Sequence, residues 1–316
     1  MDILKKVILT SILVLVPFSA HAEWQNAVQN PHMQIAPQDA FAIADAKFHL
    51  SNDDVTVAYT IKPWINLYDV RIHFDVLPYA WLGEAVIYLD RSFSELSLEI
   101  NKNVVNMHKE YKAYFENKDI TKELLKNNIT PTILNDMSTW VQDNKHNKEK
   151  YNLLLKNGYM TYVAGDRYIP RWWIHPYYWF SAAFKKSENV ELEYKHRLFW
   201  GANSFKLSAI KDNKNSFLDA LFISDNEKIR DVILRLDAHD DEYCKITETR
   251  IPWLNIAKYV PIKDITIRID TKISDNQVAI LRVGDGNVYI INNGAEIKLH
   301  DFYPQEDLWI VILSKY

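Results

Sequence analysis

The chain has 316 residues, 48% hydrophobic, 13% aromatic and 25% charged, with a formal charge of −4, seven glycines and one cysteine. This is a globular composition that excludes disorder, collagen and a disulfide framework, and the length can bury a sizeable core in one large domain or two smaller ones. The glycines, Gly83, Gly158, Gly165, Gly201, Gly284, Gly286 and Gly294, form neither GxGxxG nor GxxxxGK, and no Lys/Arg cluster offsets the acidic balance. Neither a phosphate-cradling loop nor a nucleic-acid footprint is encoded.

The first twenty-two residues read as a secretory leader: basic Lys5 and Lys6, the apolar run Val7 to Val16, Pro17, and the small-residue exit Ala20-His21-Ala22. The pattern predicts cleavage before Glu23 and an exported, periplasmic or extracellular protein. An apolar run of this length is about half of what a membrane span needs, and no later stretch is apolar for long enough, so the mature chain is expected to lack a transmembrane segment. In an oxidising compartment the single Cys244 has no internal disulfide partner; it is either a reactive thiol or a small buried hydrophobe.

After the leader, Lys47 to Leu50 and Val55, Val57, Tyr59, Ile61 alternate around the polar turn Ser51 to Asp54, which predicts a hairpin. Val70, Ile72, Phe74 and Val76 repeat the pattern, and Val86 to Leu89 and Leu96 to Ile100 read as further antiparallel strands. Pro63-Trp64 and Tyr79-Ala80-Trp81 read as loop ends tucked onto a sheet. The period then changes to helical: Asp119 as a cap before Ile120, Leu124 and Leu125; Thr130-Pro131 before the stripe Ile133, Leu134, Met137, Trp140, Val141; and Tyr151, Leu154, Leu155 closed by Gly158. Strands return at Tyr177 to Phe184, Val190 to His196, Phe205 to Ile210, Val232 to Leu236 and Ile265 to Ile269. Ala279 to Val283, Val288 to Ile291, Glu296 to Leu299 and Leu308 to Leu313, with turn signals at Gly284 to Asn287 and Asn292 to Gly294, predict a closing β-meander.

The expected fold is therefore mainly β, with β-sandwich-like antiparallel sheets and a helical insertion at about 119–158, α+β overall. A β-rich domain over 23–210 is followed by a C-terminal β-rich part, 211–316, which is a second domain or a continuation of the first. The polar stretch Lys211 to Ser216 marks the boundary.

Two segments could carry chemistry. Arg171 to Phe180 (RWWIHPYYWF) offers Trp172, Trp173, Tyr177, Tyr178 and Trp179 either as a ligand platform, where rings stack on sugars or apolar ligands, or as core filling between sheet and helices. Asp237, His239, Asp240, Asp241 and Glu242 are either ligands for a divalent metal or a solvated acidic turn. No other cofactor is expected, since HExxH, HxH and GxSxG are absent. Three functions remain open: a non-enzymatic role binding an unidentified protein or small ligand, carbohydrate binding through residues 171–180, and hydrolysis by the acidic loop 237–242 with His196.

The order of several segments resembles an uncharacterised secreted bacterial family, domain of unknown function 4424. They are Asn117 to Thr121 (NKDIT), a tryptophan ahead of Tyr177-Tyr178-Trp179, Glu193 to His196 on a strand, Tyr243-Cys244, and Asp301 to Leu308 (DFYPQEDL). The resemblance spans essentially the whole mature chain and implies an exported protein; it implies no reaction, ligand or catalytic residue.

Overall fold

The computed structural model describes residues 31–51, 53–75, 79–80, 96–132, 148–163, 167–198, 200–206, 243–270, 273, 277–284, 287–291 and 294–315. The leader, the strands expected at 86–89 and 232–236, the helical stripe 133–141 and the boundary stretch 211–216 lie outside the described residues.

The chain is mainly β. Its first described strands are β1 (His32–Ala36), β2 (Phe41–Leu50), β3 (Asp54–Pro63), β4 (Leu67–Asp75), β5 (Tyr79–Ala80), β6 (Ser97–Ile100), β7 (Asn103–Val104), β8 (His108–Phe115) and β9 (Lys118–Asp119). Two short helices, α1 (Thr121–Lys126) and α2 (Lys148–Lys156), precede β10 (Met160–Val163), β11 (Arg167–Pro170), β12 (Trp173–Phe184), β13 (Val190–Arg197) and β14 (Gly201–Lys206). The last part holds β15 (Tyr243–Ile251), β16 (Ile262–Ile269), β17 (Gln277–Val283), β18 (Asn287–Ile291), β19 (Ala295–Phe302) and β20 (Leu308–Lys315). Helix is a minor component among the described residues, and the expected insertion is represented by these two short pieces.

Alternation explains the strands. In β13, Val190, Leu192, Tyr194 and His196 are buried while Glu191, Glu193 and Lys195 face outward. In β2 a bulge between Ile43 and Asp45 resets the parity, so that Phe41 and Ile43 on one side of it and Ala46, Phe48 and Leu50 on the other all point inward. The β2–β3 turn is closed as anticipated: the Ser51 N–H donates to the Asp54 carbonyl at 2.9 Å and the Asp54 N–H to Ser51 Oγ at 3.0 Å.

Three large sheets result. A six-stranded sheet runs β1-β4-β12-β8-β9 with β5 also on β12, a seven-stranded sheet runs β19-β16-β2-β3-β13-β6-β7, and a five-stranded sheet runs β14-β15-β20-β17-β18; β10 and β11 form a separate pair. Among the described strands all pairings are antiparallel except one, in which β16 lies parallel to β2 with Ile265 opposite Ala46 and Ile267 opposite Phe48. One apolar core joins the sheets. The Phe74 ring on β4 meets Tyr194 on β13 edge to face at 5.2 Å, and Phe48 on β2 meets Trp253, beyond β15, at 4.8 Å.

The final forty residues depart from the expected meander. β17 and β18 form the hairpin, but β19 crosses to pair with β16 in the seven-stranded sheet, and β20 returns to lie between β15 and β17. Turn glycines announce a reversal without saying which sheet receives the next strand. Burial separates the two destinations: β17 is buried from Val278 through Val283, whereas β19 alternates between half-buried and exposed positions.

Gly284, after β17, has φ +58°, and a Cβ there would lie 2.6 Å from Cζ of Phe302, whose ring packs against Trp253. Gly294 has a similar φ, +75°, but nothing within 4 Å of an added Cβ. Gly284→Ala is expected to cost about 2–3 kcal/mol, and Gly294→Ala about 1 kcal/mol from backbone strain alone. Urea denaturation of both variants measures the steric part as their difference; equal losses would refute the clash.

Candidate ligand-binding site

The aromatic segment divides by the parity of β12. Trp172, just before the strand, is in the core with its indole N–H directed at the Pro131 carbonyl (3.4 Å), and Tyr178 is buried with its hydroxyl 3.5 Å from that of Tyr111. Trp173, Tyr177 and Trp179 stand half-buried on the opposite face, with His175 between the first two.

The faces of these outward rings are engaged by neighbouring strands. Tyr114 on β8 stacks on Trp173 at 4.5 Å; His175 lies 4.3 Å from Tyr177, and the Lys112 ammonium is 4.7 Å from the centre of the same ring. Trp179 receives the His108 imidazole at 4.3 Å and the Arg71 guanidinium at 4.9 Å, from strands on opposite sides of β12. Such stacking and cation–π contacts use the π faces that a sugar ring would need.

His196 sits at the inner end of β13, stacked near Tyr194 (5.9 Å), with its Nδ1–H donating to the Arg197 carbonyl at 2.8 Å. Burial pushes its pKa down to about 4, against weaker opposing effects of that hydrogen bond and of Asp54, so the imidazole is neutral at pH 7. Asp237, His239, Asp240, Asp241 and Glu242 lie outside the described residues; among the described ones no group of three or more His, Cys, Asp or Glu is placed to hold a metal. Cys244 is on β15 between Phe205 and Lys315.

A cavity of about 280 Å³ opens elsewhere, where the β15–β16 connection meets the turn before β20 and the start of the N-terminal strands. Its wall comprises Gln34, Gln38, Pro252, Trp253, Asn255, Tyr259, Pro304, Gln305, Glu306 and Asp307. Hydrogen bonds fix that wall. The Trp253 indole N–H donates to the Glu306 carbonyl at 2.8 Å, and the Leu254 N–H donates to the Tyr59 hydroxyl at 3.0 Å. Complete burial of Tyr59 raises its pKa, which keeps that phenol protonated. The Asn255 side chain acts as a two-pronged clip on β1, its Nδ2 donating to the Ile35 carbonyl at 3.0 Å while its Oδ1 accepts from the Ile35 N–H at 2.9 Å. Glu306 is held by Arg282, Nη2 to Oε2 2.7 Å.

The lining thus offers four primary amides, two carboxylates and two aromatic rings, with no Lys, Arg or His among its described residues. Amides supply both donors and acceptors without titrating, and the two carboxylates outnumber the one guanidinium, Arg282, that is paired with Glu306. Anionic ligands are disfavoured; hydroxylated or cationic ones are matched.

The sequence profile of the domain of unknown function DUF4424 matches residues 25–311. The chain belongs to the DUF4424 family. No curated protein matches it. Among solved structures, it is similar to a Legionella pneumophila protein described as "a putative nutrient binding protein", at 8% identity and a TM-score of 0.37, over 90% of this chain and 70% of that one.

In this DUF4424 chain the first of the segments that carry the resemblance has a local structural role. In NKDIT, Asn117 takes φ +64° in the β8–β9 turn, Asp119 Oδ1 accepts the Thr121 N–H at 2.9 Å, and Thr121 Oγ1 accepts the Ala113 N–H at 2.8 Å. Asp301 to Leu308 is different, because Pro304 to Asp307 form one wall of the cavity. Trp253 and Tyr259 across from it went unremarked in the sequence. The available signal was Pro252-Trp253 directly after a β-branched stretch, but its partner Glu306 lies 53 positions away.

Proposed function

We propose that this DUF4424 protein is an exported, non-catalytic binding protein whose ligand seat is the Trp253–Tyr259–Gln305 cavity, and that its ligand is small and either polyhydroxylated or cationic. The observation carrying this reading is the lining itself: fixed amides and carboxylates converging beside two aromatic rings in a concavity just below the usual size for small ligands. The six- and seven-stranded sheets, packed as a sandwich through Phe74 and Tyr194, would be the scaffold, and export rests on the leader pattern of residues 1–22.

The test is calorimetric titration with a panel of sugars, polyols, amino acids and polyamines. Tyr259 is 68% exposed and has little packing to lose. Tyr259→Ala should therefore weaken the bound panel member about tenfold or more, as loss of an aromatic contact does, with unchanged melting temperature. No binder in the panel, or a binder indifferent to Tyr259→Ala and Gln305→Ala, would overturn the assignment. Binding of oligosaccharides lost in Trp173→Ala but kept in Tyr259→Ala would instead move the seat to β12, where the half-exposed Trp173, Tyr177 and Trp179 favour that second reading.

A further inference from the structure

Pro63 and Trp64 were expected to tuck onto a sheet, and Trp64 does not. At the turn joining β3 and β4, Trp64 is 49% exposed, Ile65 55% and Tyr68 84%. Three large apolar side chains within five residues cost solvation free energy in water, and here Trp64 and Ile65 stay about half exposed and Tyr68 mostly exposed. The turn is nevertheless rigidly held. The Trp64 N–H donates to the Ala40 carbonyl at 2.9 Å, the Ser187 N–H to the Pro63 carbonyl at 2.9 Å, and the Lys186 N–H to Asn66 Oδ1 at 2.8 Å. The last two bonds bring the β12–β13 turn alongside, and with it Lys185 and Lys186; Lys62 is exposed on the other flank. The acidic groups here are Asp39, exposed and next to the Ala40 that accepts the Trp64 N–H, Asp69, also exposed, and Glu188, whose carboxylate lies 3.5 Å from the Lys185 ammonium.

We propose that this tip, Trp64, Ile65 and Tyr68 collared by Lys62, Lys185 and Lys186, docks on an anionic lipid bilayer surface. Trp and Tyr rings, apolar in body and polar at one end, favour the headgroup level, Ile65 reaches the acyl boundary, and the lysines meet lipid phosphates. The connection from β3 in the seven-stranded sheet to β4 in the six-stranded one presents only three large apolar side chains, far short of the roughly 800 Å² per partner that a stable protein interface buries. A bilayer demands no complementary surface. Because the turn is already braced, docking sacrifices little conformational freedom. The tip is independent of the cavity, and its function does not rest on ligand binding there.

The experiment is vesicle co-sedimentation of the processed chain, residues 23–316, which contains every described strand and omits the apolar run 7–16 that would itself partition into lipid. Vesicles of phosphatidylglycerol and phosphatidylcholine in equal parts are compared with phosphatidylcholine alone. Binding to the mixed vesicles is expected, weaker in high salt and weaker on phosphatidylcholine. It should fall about tenfold or more in Trp64→Ser/Tyr68→Ser, which removes the apolar contacts, and in Lys185→Glu/Lys186→Glu, which reverses the charge. Melting temperatures should not change, since these side chains are exposed. No sedimentation with either vesicle, sedimentation unaltered in both variants, or self-association without lipid that Trp64→Ser/Tyr68→Ser abolishes would overturn the proposal, the last by making the tip a protein contact.

Discussion

Acidification from pH 7 to pH 4 will destabilise the fold by about 3 kcal/mol through His196 alone, at roughly 1.4 kcal/mol per pH unit of displaced titration. The imidazole occupies the last inward position of β13, in line with Val190, Leu192 and Tyr194, and burial lowers its pKa from 6.5 to about 4. The unfolded chain takes up a proton near pH 6.5, whereas the folded chain refuses it until about pH 4. The stabilisation is thus complete above pH 6.5 and is lost as pH falls through that window. Glu248 acts in the opposite sense: burial raises its pKa, against the Trp309 hydrogen bond and Arg250, so it favours folding at low pH and ceases to as pH rises. Comparing wild type with His196→Gln isolates the histidine. Urea denaturation at several pH values should show a profile flatter by about 3 kcal/mol in the variant. Parallel profiles would mean that His196 titrates normally.

Trp253→Ala should be the most damaging single truncation, costing about 3–5 kcal/mol. The indole fills the junction of two sheets and the cavity wall at once. It packs on Phe48 at 4.8 Å and Phe302 at 6.0 Å and ties down Glu306 through its N–H. Trp253→Phe retains most of the packing but leaves the Glu306 carbonyl without that donor, for which about 1–2 kcal/mol is expected. Chemical denaturation gives both values, and ligand titration of Trp253→Phe tells whether the 304–307 wall must be held in place for binding. Similar losses for the two variants would show that the hydrogen bond, rather than the ring, is what holds the junction.

Much of the architecture was legible because alternation is local. Val55 to Ile61, Val70 to Phe74 and Val190 to His196 each announce a strand and its inward face, and Ser51 to Asp54 and Gly158 announce where elements reverse or stop. Partner choice is not local. Nothing in Glu296 to Leu299 says that this strand leaves the neighbourhood of β18 for β16, because hairpin turns encode a change of direction and not a destination. The same holds for function. The aromatic density of residues 171–180 drew attention to β12, yet parity sends Tyr178 inward and Trp172 is likewise in the core, while neighbouring strands cover the faces of the others. The cavity instead assembles from short polar segments around residues 34, 255 and 305, each unremarkable in its own stretch of chain.

The parallel pairing of β2 with β16 has a consequence for how the molecule is made. Ala46 and Ile265 are brought side by side, so the middle of the seven-stranded sheet closes only after more than two hundred residues have been synthesised. Contacts that distant must meet the entropy of a long loop before they return any stability, which slows folding. A nascent N-terminal half would expose β2 as an open edge and could not settle early. Were the chain exported unfolded, as the proposed function has it, that delay would be an advantage: the topology would keep the polypeptide threadable until its last strands had crossed.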